Sequence, residues 1–143
     1  MVIERLTQRY IAQVVELQKT LVPFELSPEE AAARLEYILS NPDYTLLIAR
    51  EGDVVLGTVT GICCRALSMP FLVIEDVVVR EDCRGQGIGK QLMDELDRFA
   101  LEKKCEYAIL VSSGFRKEAH KFYEKQGFTE DVRGFRKGYH EHK

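Results

Sequence analysis

The stretch Phe71-Leu72-Val73-Ile74-Glu75-Asp76-Val77-Val78-Val79-Arg80-Glu81-Asp82-Cys83-Arg84-Gly85-Gln86-Gly87-Ile88-Gly89 decides the reading of this chain. Residues 71–79 are the most β-like segment, apolar at neighbouring positions rather than at alternate ones. That pattern indicates a strand buried on both sides, central to a sheet covered by helices. A polar loop over 80–86 leads into a helix over 87–103, whose apolar stripe is Ile88, Leu92, Met93, Leu96, Phe99 and Ala100. Another apolar strand follows at 107–112. A strand, a crossover helix and a second strand demand a parallel or near-neighbour pairing, so the fold class is α/β with a mixed sheet.

Upstream, residues 2–6 read as a first strand. Thr7 is placed to cap a helix with apolar positions Ile11, Val14, Val15, Leu17 and Leu21, which Pro23 stops. Ser27-Pro28-Glu29-Glu30 starts a second helix: a Ser cap, Pro at the first position and acids at the positive end of the dipole. It runs to about Leu39. Residues 45–50 and 54–64 read as strands joined by the turn Glu51-Gly52-Asp53. Downstream, a helix over 117–126 ends at Gly127, where a left-handed cap belongs. Residues 129–132 and 135–140 are expected to be closing strands joined through Gly134.

At 143 residues the chain is expected to be one domain, 1–143, with no repeat or linker. Its apolar fraction is 45% and its charged fraction 30%, so it can build a core and stay soluble. A net charge of −3 with interspersed signs offers nothing to a nucleic acid or a membrane surface. The start of the chain lacks a signal-peptide pattern, and no run is long and apolar enough to cross a membrane. The four cysteines, Cys63, Cys64, Cys83 and Cys105, show no metal-ligand spacing. They read as reduced thiols of a cytoplasmic protein.

Three glycines in five residues at a helix start leave backbone N–H groups uncovered, beside the positive end of a helix dipole. Arg84 and Lys90 add charge, and a pyrophosphate is the natural occupant. The spacing Gly85-x-Gly87-x-Gly89 fits neither a dinucleotide fingerprint nor a P-loop. A turn that merely packs closely is the plainer alternative.

Residues 79–89 resemble the acetyl-CoA signature of the GNAT N-acetyltransferase superfamily, Arg/Gln-x-x-Gly-x-Gly/Ala after a Val-rich strand. Ala119-His120-Lys121-Phe122-Tyr123-Glu124-Lys125-Gln126-Gly127-Phe128 is similar to its second motif, A-x-x-F-Y-x-x-x-G-F. Glu81 and Cys83 stand where the family often has Pro and Tyr. Ser112, Ser113 and Gly114 stand near where it often has Asn. The resemblance implies the acyl-CoA N-acyltransferase fold: a mixed, mostly antiparallel sheet of about seven strands flanked by four helices.

It further implies that Val77, Val78 and Val79 bind the pantetheine arm of acetyl-CoA, with an N–H near Val78 on the thioester carbonyl. The pyrophosphate is expected on Arg84, Gly85, Gln86, Gly87, Ile88, Gly89 and Lys90, with Ser113 and Tyr123 adding contacts. Arg116, Lys117 and Lys121 are candidates for the 3′-phosphate, and Phe24 and Tyr37 for framing the acceptor. Tyr123 is the expected general acid, or else a core aromatic. Glu75 is the expected base, with Asp76 as alternate or as an anchor for the substrate ammonium. Two carboxylates in so apolar a strand are otherwise paired with cations at the sheet edge. His120, His140 and His142 read as solvated, and no metal is implied. The implied reaction is direct acetyl transfer to an amine, of a small molecule or of a protein, with a homodimer as the possible assembly. A catalytically silent acyl-CoA sensor is the reading from another class.

Overall fold

The computed structural model of the chain describes residues 1–112 and 117–140. These fall into two compact units, Met1–Leu110 and Val111–Lys143.

The first unit is a five-stranded sheet in the order β1-β2-β3-β4-β5. Its strands are β1 (Val2–Arg5), β2 (Tyr44–Glu51), β3 (Val54–Arg65), β4 (Pro70–Val79) and β5 (Ala108–Ile109). All neighbours are antiparallel except β4 and β5, which are parallel across the crossover helix α3 (Ile88–Glu102), as the sequence predicts. β5 is far shorter than the 107–112 read from the sequence, because only Ala108 and Ile109 stand in ladder register, opposite Leu72 and Val73.

Helices α1 (Ile11–Gln18) and α2 (Pro28–Ser40) cover one face of the sheet. There Leu6, Tyr10, Val14, Leu17, Leu35, Leu46, Ile48, Val55 and Val78 form a buried cluster. Ser27 completes a capping box for α2: its hydroxyl accepts from the Glu30 amide, and Glu30 accepts from the Ser27 amide. Thr7 behaves otherwise than expected. It precedes a short 3-10 turn, Gln8–Tyr10, and makes no side-chain cap. α1 also stops at Gln18, before Leu21 and Pro23, where the Thr20 hydroxyl donates to the Leu17 carbonyl and tightens the last turn.

Helix α3 covers the opposite face, with Leu92 and Leu96 fully buried. Its close approach depends on glycine in β3. A Cβ on Gly61 would lie 2.8 Å from Leu96 Cδ2. Gly61→Ala is therefore expected to destabilise the chain by about 1–3 kcal/mol through overpacking, read as a lower urea midpoint. An unchanged midpoint would contradict the packing. At its other end α3 closes in a Schellman turn with Lys104 at φ 62, a costly place for a residue with a Cβ. The Cys105 amide donates to Ala100 and the Lys104 amide to Leu101.

The second unit contains α4 (Lys117–Lys125). The expected closing strands over 129–132 and 135–140 do not form a ladder among the described residues. Val132, Phe135 and Tyr139 are exposed there. A β-prone segment needs a packed partner to become a strand, and an isolated pair is marginal in water. Among the described residues the sheet therefore has five strands rather than about seven.

Candidate active site

The centre of interest is a flaw in β4. Glu75 pairs with Thr60 and Val78 with Thr58, so Asp76 and Val77 together oppose Val59 alone. This is a β-bulge, and Asp76 sits in it at φ 54, a conformation that Asp tolerates better than most residues. The extra residue reverses the strand's phase. Leu72 and Ile74 pair with Cys63 and Gly61 on the α3 face, whereas Val78 joins the α1–α2 cluster. In a regular strand, neighbours such as Glu75 and Asp76 point to opposite faces unless a bulge intervenes. One does, and both side chains reach solvent.

The bulge lies where β4 loses its neighbour. β5 pairs only with Leu72 and Val73, so from Ile74 onward that edge of β4 carries no strand among the described residues. On the other edge the Arg80 amide donates to the Leu56 carbonyl at 2.8 Å. Antiparallel alternation then turns Val78 toward Thr58 and turns the backbone groups of Val77 and Val79 to the open edge. Of the three valines, these two offer main chain to an added strand-like ligand.

Partial exclusion of water raises the pKa of both carboxyls. For Glu75 burial leads and the negative charge of Asp76 adds to it; for Asp76 burial is the cause. A raised folded-state pKa gives stability that is complete below the ordinary carboxylate range and is lost as pH rises. Asp76→Asn, which keeps tolerance of the left-handed backbone, is expected to melt higher than the parent at pH 7. Near pH 3 the two should melt together, because Asp76 is then protonated whether the chain is folded or not. Coincident melting curves at both pH values would show that Asp76 carries no such burden.

The glycine loop follows directly. Gly85 and Gly87 adopt φ 82 and φ 80, and a Cβ on either would meet nothing within 4 Å. Conformation, not crowding, selects glycine there. Gly87 is the N-cap of α3 and has no side chain to bond the first turn. The first intrahelical bond runs from the Gln91 amide to the Gly87 carbonyl. The amides of Ile88, Gly89 and Lys90 precede it and have no carbonyl four residues back inside the helix. An open, left-handed approach to such a helix start fits an anion.

Charge around the loop is partly committed. Arg80 clamps Asp82 through two hydrogen bonds of 3.1 and 2.7 Å. Arg84 folds back so that its Nε donates to the Val79 carbonyl at 3.3 Å, and Lys90 pairs with Asp94. Arg84 remains exposed, as do Gln86 and Lys90. Sequence reasoning missed Arg80, which holds the exit of β4 through both its amide and its guanidinium. The Arg80-x-Asp82 spacing was the available signal.

Tyr123 lies in the second unit, in α4. Its carbonyl accepts from the Phe128 amide, and the Gly127 amide donates to Glu124, with Gly127 at φ 98. This is a Schellman motif, and it explains the F-Y-x-x-x-G-F pattern physically. Phe128 meets the Tyr123 ring edge-on at 6.2 Å, and Phe122 does so at 5.4 Å. Ser113, Arg116 and His142 lie outside the described residues.

Two surface grooves flank α1 and α2. One of about 430 Å³ is lined by Ala12, Gln13, Glu16, Leu17, Thr20, Val55 and Arg80. The other, about 360 Å³, contains Tyr37, edge-on to Tyr44 at 5.8 Å. Phe24 lies under the Lys19 ammonium. Two of the four cysteines, Cys83 and Cys105, carry thiols held mostly protonated at neutral pH. Burial, then the neighbouring Cys63, push the Cys105 thiol up to about 11. Burial and the Asp82 carboxylate also raise the Cys83 thiol. Among the described residues no group of three or more His, Cys, Asp or Glu converges as a metal site, and no helix is long and apolar enough to cross a membrane.

The chain is 33% identical over 120 residues to the uncharacterized N-acetyltransferase YhdJ of Bacillus subtilis (strain 168), covering 79% of this chain and 81% of that protein. It is 26% identical over 129 residues to the thialysine N-epsilon-acetyltransferase of Sus scrofa, covering 83% and 74%. Its fold superposes on the crystal structure of glucosamine-6-phosphate N-acetyltransferase from Arabidopsis thaliana with a TM-score of 0.86 at 25% identity, over 97% and 98% of the two chains. The model of the acetyltransferase (GNAT) family matches residues 11–128. With the interrupted β4 edge and the glycine turn beside it, these matches establish that the chain belongs to the GNAT acetyltransferase family.

Proposed function

We propose that the chain, acting as one domain over 1–143, transfers the acetyl group of acetyl-CoA to a primary amine of a small molecule in a ternary complex. The observation that carries this reading is the open, bulged edge of β4 running into the left-handed glycine turn. Acetyl-CoA supplies an activated thioester; everything else is the work of the chain. The main chain of Val77 and Val79 pairs with the pantetheine amides, and Val78 holds this segment to β3. The amides from Gly85 to Lys90 receive the diphosphate, assisted by Arg84 and Gln86, with Ser113 and Tyr123 as further contacts. A main-chain N–H at the bulge, aimed at the thioester oxygen, is worth about 2.7–4 kcal/mol where such donors have been removed from enzymes.

An alkyl ammonium with pKa about 10.4 is neutral in only about one molecule in 2,500 at pH 7, so a base is needed. Glu75 takes that proton through water, its raised pKa bringing it nearer neutrality. Asp76 is the alternate base or holds the substrate ammonium. Tyr123 donates to the departing sulfur. Nothing in this scheme calls for an acyl-enzyme or a metal. The small-molecule preference is supported by the names of the relatives, which specify thialysine and glucosamine 6-phosphate. Action in the cytoplasm as a homodimer, without nucleic-acid or membrane partners, belongs to the same reading.

The test is release of CoA thiol from acetyl-CoA with a panel of amino sugars, diamines, amino acids and lysine peptides. Turnover with small amines is expected. Turnover with peptides alone would make it a protein acetyltransferase, and binding without turnover a sensor. Glu75→Gln is expected to lower kcat/KM at pH 7 by about a hundredfold. Its activity should recover toward higher pH, where the amine deprotonates unaided. An unaltered pH profile would exclude Glu75.

A further inference from the structure

Two thiols unused by this chemistry lie together toward the β3–β4 hairpin. Cys63 of β3 is 4% exposed, and the partly exposed Cys105 follows α3, with the sulfur atoms 3.7 Å apart. The backbone holds Cys105 in place from both sides. The left-handed Lys104 turns the chain, the Cys105 amide donates to Ala100, and the Glu106 amide donates to the Pro70 carbonyl. Pro70 starts β4, the strand paired with β3, so the turn is anchored beside the strand that carries Cys63. An S–S bond of about 2.05 Å needs an approach of under 2 Å, within reach of side-chain rotation.

We propose that Cys63 and Cys105 form a dithiol site that low-molecular-weight disulfides oxidise to an intramolecular bond, stapling β3 to the turn between α3 and β5. The Cys105 thiolate attacks one sulfur of the small disulfide, and its first thiolate leaves. The Cys63 thiol then loses its proton and attacks the Cys105 sulfur, and the second small thiolate leaves. Two protein thiols are oxidised, one disulfide is reduced to two thiols, and no other reactant is consumed. Cys105 is the entry point because it is the more accessible of the two.

The charges acting on Cys105 are Arg65 and Asp43. Arg65 grips Asp43 through its Nε and Nη2, and Lys103 lies 4.0 Å from the same carboxylate. Burial and Cys63 raise the pKa of Cys105, Arg65 opposes them, and Asp43 adds to the rise. The reaction is accordingly slow at neutral pH and should speed up about tenfold per pH unit from 7 to 9. The closed loop spans the 42 residues separating the pair. Constraining the unfolded chain over that length is expected to raise the melting midpoint by about 5–10 °C.

The experiment incubates the native chain with oxidised glutathione and measures free thiols, intact mass, the linked peptide and the melting midpoint. Four titratable thiols should fall to two, with a mass about 2 Da below the reduced chain and a Cys63–Cys105 peptide that dithiothreitol releases. Cys105→Ser should neither form the bond nor gain in melting temperature, and it should melt close to the reduced parent because Cys105 is partly exposed. Persistence of four thiols, a bridge through Cys64 or Cys83, a bond between chains, or an oxidised form melting no higher than the reduced one would each overturn the proposal.

Discussion

Gly87→Glu is expected to abolish measurable binding of acetyl-CoA while leaving a folded chain. The residue caps α3 in the left-handed region, so any side chain there carries about 1–2 kcal/mol of backbone strain. Space is not the obstacle, because a Cβ would meet nothing within 4 Å. Charge is. A carboxylate at the helix start competes for the amides that would receive the diphosphate and repels it. At about 4 Å and an effective dielectric near 20, one such repulsion is worth about 4 kcal/mol, or roughly a thousandfold in affinity. Gly87→Gln separates strain from charge, since it carries the same backbone strain and side-chain size without the carboxylate. It should retain most of the affinity. Calorimetric titration of both variants distinguishes the cases, and unchanged binding by Gly87→Glu would remove the loop from the cofactor site.

Tyr123→Phe is the second large effect: kcat lower by about 10²–10⁴-fold, the range of a positioned general acid or base, with affinity for acetyl-CoA nearly preserved. Phenylalanine keeps the carbonyl that closes the Schellman turn and keeps the edge contacts with Phe122 and Phe128. Helix α4 should therefore fold as before. What would disappear is the proposed proton donor for the departing sulfur. The loss should be greatest for thiol leaving groups of high pKa and smallest for acetyl donors whose thiolate needs no proton. Full activity with acetyl-CoA would return Tyr123 to the status of a packing aromatic.

Both variants rest on motifs legible in the sequence, and the reasons for that legibility are physical. Ser27 and Glu30 announce a helix start because the capping box uses side chains at fixed spacing. Gly87 and Gly127 announce left-handed backbone because other residues are disfavoured there. The parallel β4–β5 pairing follows from strand, helix and strand in succession. The bulge was harder to see. Val77, Val78 and Val79 are apolar at every position, so a half-step in phase leaves no trace in their pattern, and only Glu75-Asp76 interrupts the run. The shortness of β5 was equally silent, because strand length is set by where the neighbouring strand diverges. Over 129–140, local β-propensity suggested strands, but a ladder needs a second chain segment as well as a suitable first one. The charge around the loop could be counted from the sequence, whereas its commitment to Asp82, Asp94 and the Val79 carbonyl could not.

The doubled residue opposite Val59 makes β4 two short ribbons spliced half a step out of phase. A one-codon insertion or deletion on either side of the splice would turn a whole row of side chains inside out. At the splice itself, the same change leaves both ribbons seated. A change of length in this strand is therefore tolerated best at one spot, the spot where the proposed transfer of the acetyl group would take place.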